Sequence, residues 1–247
     1  MAALLNLLSP VFQTTKNYEQ VLYRLAFFVF WEVYVISFYL RDISQVDAMF
    51  FGWVKNLPLF AAIEQTFPLA NTLNLLGAVT ALAVALITRV VKLHDFISDV
   101  LGIRRRFDCY YILFPLATMV GELLTSTQKA AVISARSDLM RKVFYRYASS
   151  RVDAPLVDKH EIEQALDAWS WFWVCVEAVI IFTCTGLIAH FFHAHKLGIR
   201  LLIIAGSLVL LAAVLFSRVG KYTRVEILAI ATDPTAANDV RSVFNAL

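Results

Sequence analysis

Residues 69–90, LANTLNLLGAVTALAVALITRV, carry no charge until Arg89. An apolar run of this length is what a helix needs to cross a bilayer, and hydrocarbon leaves a crossing chain few alternatives to a helix. Three further stretches read the same way. Residues 22–40 make 19 residues, roughly 29 Å of helix and about one hydrocarbon thickness, although Arg24 and Glu32 interrupt them. Residues 168–192 and 199–216 supply the third and fourth.

Composition agrees, with 60% of residues hydrophobic, 17% charged and a mean hydropathy of +0.67. Soluble domains are nearer half apolar, so the expected class is an all-α polytopic membrane protein. It has four transmembrane helices and an all-helical cytoplasmic region between spans two and three. The net charge of +3 is too small to argue for nucleic acid as a partner. Cys109, Cys175 and Cys184 have neither metal-binding nor redox spacing, and no disulfide framework is implied. The N-terminus lacks a basic leader and a cleavage site and reads as retained.

The chain divides into five parts. Residues 1–21 form an N-terminal interfacial helix, signalled by Ser9-Pro10. Residues 22–90 form the first transmembrane hairpin, whose aromatic, mixed loop 41–68 lies at the outer interface. Residues 91–167 form the cytoplasmic helical domain. Within it, Leu93, Phe96, Ile97, Val100 and Leu101 give one amphipathic helix, and residues 126–147 give a second. Residues 109–124 are apolar but short, contain Pro115 and Glu122, and read as buried or re-entrant. Asp158 and Glu161 suggest a capping box from which one helix of about 35 residues runs into span three. Residues 168–217 form the second hairpin, and residues 218–247 a cytoplasmic tail with a helix starting at Thr232-Asp233-Pro234.

Basic residues set the orientation. The stretch 89–167 carries 12 Lys and Arg, loop 41–68 two, the 193–198 turn one, and the chain from Arg218 onward four. Positive charge at the ends of spans two and four places those ends, and both termini, in the cytoplasm of a cell inner (plasma) membrane. Trp169, Trp171 and Trp173 then form an inner interfacial belt, and Arg24 reaches toward headgroups.

Chemistry is sparse. Glu32 and Glu177 fall at similar depth near mid-membrane, where a charge costs on the order of 3 kcal/mol. They suggest an ion or proton path or an assembly seam, or else protonated acids bonded to Asn71, Asn74 or Thr80. Arg104, Arg105 and Arg106 suit anionic lipid headgroups or an anionic cytosolic ligand. His190, His193 and His195 are a weak candidate metal set, so no metal and no cofactor is expected. Asp95 and Asp99 stack at helical spacing, with Lys92 and the arginines to neutralise them. No phosphate loop, nucleophile elbow or zincin motif is present.

Arg89 and His94 match the R-x4-H spacing of HEPN-type ribonucleases, but the small polar residue that commonly follows the arginine is absent. As a whole the chain looks like the small multi-span effectors encoded beside bacterial signalling and phage-defence systems, an analogy of architecture rather than of residues. It implies a non-catalytic homo-oligomer among membrane lipids that forms a pore or perturbs the bilayer, gated by a cytosolic protein or small molecule. The alternatives are an anchor or adaptor that recruits a cytosolic partner through its basic helices, and a small transporter or membrane-bound nuclease.

Overall fold

In a computed structural model, residues 13–41, 58 and 74–247 are described. Apart from residues 41 and 58, the outer loop 41–68 lies outside the described residues, as do Asn71 and most of the N-terminal segment. Every described element is a helix. In order they are α1 (Tyr18–Arg41), α2 (Leu75–Val91), α3 (Leu93–Val100), α4 (Ile103–Phe107), π1 (Asp108–Leu113) and α5 (Phe114–Met119). Next come α6 (Ser126–Ser134), α7 (Arg136–Leu139), π2 (Met140–Phe144), α8 (Lys159–Phe191), α9 (His195–Thr232) and α10 (Pro234–Asn245). Residues 13–17, expected to be helical, are irregular.

Three helices, α1, α8 and α9, are long and apolar enough to cross a membrane. A fourth span results if α2 and α3, bent by 63° at their junction, count as one. The all-α class holds, and the fold fits a membrane protein. Lys92 makes the bend: at φ 52° it adopts the left-handed conformation that closes a helix C-terminus.

The chain divides into two compact units. Unit 2 is residues 22–93 and 172–213. Its outer surface is apolar, with Leu82, Leu86, Ile87 and Val90 of α2 and Ile203, Leu210 and Leu211 of α9 exposed. On the inward side of α2 the buried residues are Gly77, Ala81 and Ala85. Large residues outward and small residues inward is the arrangement suited to lipid, where close backbone approach replaces the hydrophobic drive. A side chain at Gly77 would collide with Ser37 of α1, whose hydroxyl accepts a 2.6 Å hydrogen bond from Asn74. At the α8–α9 hairpin, a Cβ on Gly198 would lie 2.8 Å from the Gly186 carbonyl oxygen and 3.0 Å from the His190 nitrogen. Gly206, by contrast, faces open space.

Unit 1 is residues 1–21, 94–171 and 214–247. Its core is the segment read as buried or re-entrant: Ile112, Leu113, Leu116, Ala117 and Val120 are all nearly inaccessible. They pack with Val132, Val143 and Phe144, with Ile162 of α8, with Ile227 and Ile230 of α9, and with Val240 and Phe244 of α10. The sequence 218–247 is thus core rather than tail. α9 runs through 38 residues, about 57 Å, instead of stopping near Phe216. α8 runs unbroken for 33 residues, as expected.

Several local expectations need correction. The second amphipathic helix breaks at Ala135 and continues as a short α turn and then a π turn. α3 buries its polar His94 and Ser98 and leaves Phe96 and Val100 exposed, because its buried face joins a polar network. Trp173 is 1% exposed and packs inward rather than at a belt, whereas Trp169 and Trp171 are half-buried, Trp169 with its ring 4.8 Å from that of Phe107. Arg24 is buried rather than extended to an interface. Asp158 caps α8 through the His160 nitrogen at 2.7 Å, without a reciprocal bond from Glu161. Asp233 caps α10 as read, accepting from the Ala236 nitrogen at 2.8 Å.

Gly198→Val forces apart two backbones and is expected to cost about 1–3 kcal/mol. Gly206→Ala adds helix propensity in open space and leaves stability unchanged or higher. Thermal unfolding of the detergent-purified variants checks both; equal shifts would refute the close approach.

Candidate functional site

Three polar residues buried in unit 1, His94, Ser98 and Asp108, lie along α3 and at the start of π1, beneath a more exposed set of polar contacts. The Tyr18 hydroxyl bridges His94 Nε2 and the Asp95 carboxylate, the latter at 3.3 Å. Asp95 also meets Arg104 Nη1 at 3.5 Å. Arg104 in turn donates to the Tyr145 hydroxyl, and Arg136 Nη1 lies 3.3 Å from Asp108 Oδ2. The last contact is an ion pair by distance only, since Arg136 Nη1 is buried without a well-angled hydrogen bond.

The local chain geometry explains the convergence. Gly102 sits at φ 64°, the left-handed region that glycine enters without a Cβ penalty, and turns the chain from α3 into α4. The Ser98 hydroxyl accepts from the Arg104 nitrogen at 3.2 Å and fixes that turn. π1 begins at Asp108, and π2 ends immediately before Tyr145, whose nitrogen bonds the Met140 carbonyl five residues back at 2.8 Å. Each π turn inserts one residue into a helix and re-aims the side chains beyond it, and such turns recur at functional sites.

The three arginines of the 104–106 run separate. Arg104 turns into the network. Arg105 and Arg106 line a recess of about 530 Å³ together with Asp99, Ser134, Arg136 and Ser137. Asp95 has the arginine partner expected of it, whereas Asp99 forms no ion pair with a described residue. Asp108, Arg136, Ser137, Tyr18 and Tyr145 escaped the sequence reading. Tyr18, Asp108 and the stretch 136–145 are far apart in the chain and follow no periodicity, so only the fold brings them together.

In unit 2, Glu177 is 6% exposed and lies within electrostatic reach of Glu32, one of whose carboxylate oxygens is buried without a hydrogen bond. Asn74 is engaged with Ser37 and with the Gly77 nitrogen, rather than with either acid. The Arg89 guanidinium stacks 3.8 Å above the Tyr23 ring. His94 belongs to the Tyr18 contact already described, so each half of the R-x4-H match has a structural partner of its own. His190 and His195 bring their Nδ1 atoms to 3.2 Å, and His193 lies beside His195. Among the described residues no three His, Cys, Asp or Glu side chains gather as a metal-binding group. Cys109 and Cys175 are buried and Cys184 is exposed, all as free thiols.

Burial pushes the Asp108 carboxyl up to about 6, outweighing the nearby Arg104 and Arg136, which act in the opposite direction. Its folded value is above its unfolded one, so its stabilising contribution is complete below about pH 4 and is lost as pH rises through about 6. Asp108→Asn, a neutral isostere, should therefore gain on the native protein between pH 4.5 and 7, by an upper limit on the order of 3 kcal/mol. Thermal melts across that range measure it, and a difference that does not vary with pH contradicts it.

No curated protein and no solved structure matches this chain. One family model does, over residues 17–246, nearly the whole sequence and both units. The chain belongs to the YmfE protein family.

Proposed function

We propose that this protein is an oligomeric, four-span membrane protein that acts without catalysis, opening a pore or perturbing the bilayer in response to a signal received by unit 1. The observation that carries the reading is the enclosed carboxyl pair Glu32 and Glu177 within the apolar unit. Acids held among apolar helices are expensive, and they ordinarily line a path or an assembly seam. α8 and α9 support the coupling: each contributes residues to both units without a break. α3 supports an interfacial role, since its exposed Phe96 and Val100 suit the headgroup boundary and the adjacent arginines suit anionic lipid.

In this reading α2 supplies the fourth span and α3 turns from it along the interface, the basic regions and both termini face the cytoplasm, and the membrane is the plasma membrane. A setting in bacterial signalling or defence rests on architecture alone. The adaptor alternative predicts that the acids are dispensable.

Glu32→Gln with Glu177→Gln tests the proposal in liposomes. Potassium efflux should fall at least several-fold, with insertion and oligomer size unchanged. Liposomes that retain ions and dye with the native protein, at oligomer-forming concentrations and in every ligand state, would sink the pore; unaltered activity in the double variant would favour the adaptor.

A further inference from the structure

The recess beside α4 holds more positive charge than its walls neutralise. Arg105 and Arg106 are exposed, and the guanidinium of neither forms an ion pair or hydrogen bond with a described residue. Arg136 adds a third guanidinium from a different helix, and its pairing with Asp108 uses only one nitrogen. Asp99 is the acid on the wall, and it pairs with none of them. Like charges brought into one concavity repel, and they do so more strongly where the walls limit solvent. An anion in the recess would relieve that repulsion.

The donor set narrows the anion. Guanidinium groups present planar, forked N–H pairs that match the oxygens of phosphate. The Ser137 hydroxyl makes no hydrogen bond with a described residue and is a free neutral donor. Ser134 is different, because its hydroxyl is committed to the Ala131 carbonyl at 2.8 Å. The volume, about 530 Å³, exceeds what one phosphate fills and lies within the range of small-molecule sites. Val100, Leu101 and Ile133 give the same recess an apolar side.

The geometry points to a binding site for a phosphate-bearing ligand, gripped by Arg105, Arg106 and Arg136 with Ser137 as a further donor. The phosphate is presented either by a soluble phosphorylated molecule or by an anionic phospholipid headgroup, and the chemistry of the grip is the same for both. The site names a trigger for the gating proposed above and rests on that reading for its purpose, though its occupancy is measurable without any flux.

The test uses the full chain. Inorganic pyrophosphate is titrated calorimetrically into detergent-purified protein. In parallel, thermal stability is compared in phosphatidylcholine nanodiscs with and without phosphatidylglycerol. The site variant is Arg105→Gln with Arg106→Gln. Its control, Lys129→Gln with Arg151→Gln, removes the same charge from exposed positions outside the recess. Saturable pyrophosphate binding, weakened roughly tenfold or more in the site variant and unchanged in the control, supports a soluble ligand. Stabilisation by phosphatidylglycerol that only the site variant loses, without a pyrophosphate response, supports a headgroup. The proposal is overturned if neither probe acts, or if both variants respond alike. Equal melting of the two ligand-free variants in phosphatidylcholine verifies that the substitutions leave the fold intact. Binding without ion efflux would retire the pore and keep this site; efflux that ignores both probes would do the reverse.

Discussion

Hydrocarbon offers no partner to a backbone N–H or C=O, and helices that close their own hydrogen bonds are the response. The rest of unit 2 derives from that constraint. Along α2, Leu82, Leu86, Ile87 and Val90 point outward, and Gly77, Ala81 and Ala85 point inward. The Gly186–Gly198 approach then brings two backbones within van der Waals contact, which no larger residue would permit. The acids Glu32 and Glu177 are the exception to this order, and their exceptional position makes them informative.

Unit 1 obeys a different rule. Its apolar core forms in the ordinary way, around Leu113 and Leu116, with pieces of two separate stretches of the chain. Over that core lies a chain of polar contacts from Tyr18 through Asp95 and Arg104 to Tyr145, with Asp108 and Arg136 beside it. Its members Asp95 and Arg104 are partly exposed, while His94, Ser98 and Asp108 beneath them are buried, so the network ties the surface around the recess to the fold below it. The arginines left outside the network are the ones available to a ligand.

The helical class and the long apolar helices were legible because their signal is local: run length, charge spacing and cap residues. Asp233 before Pro234 is an example, and so is the unbroken passage from Lys159 to Phe191. The burial of residues 109–124 was legible from apolarity combined with insufficient length. Direction was not. α3 carries an amphipathic pattern, yet the face it buries is the polar one, because Tyr18, distant in the chain, supplies the partner for His94. Arg24 and Trp173 were assigned to an interface by residue type, whereas neighbours that residue type does not reveal determine their burial. The 104–106 run was legible as a basic cluster, but its division between network and recess depends on Gly102 and on the first π turn.

Those π turns make the fold unequally permissive to change. A helix with one residue too many keeps its hydrogen bonds by widening a single turn, and losing that residue would restore ordinary winding. It would also swing every later side chain by about 100°. Removing one residue before Tyr145 would carry its hydroxyl away from Arg104, and removing one after Asp108 would rotate Leu113 and Leu116 off the core. At these two points the number of residues is as binding on the architecture as their identity, so a deletion there would produce a different packing rather than a shorter version of this one.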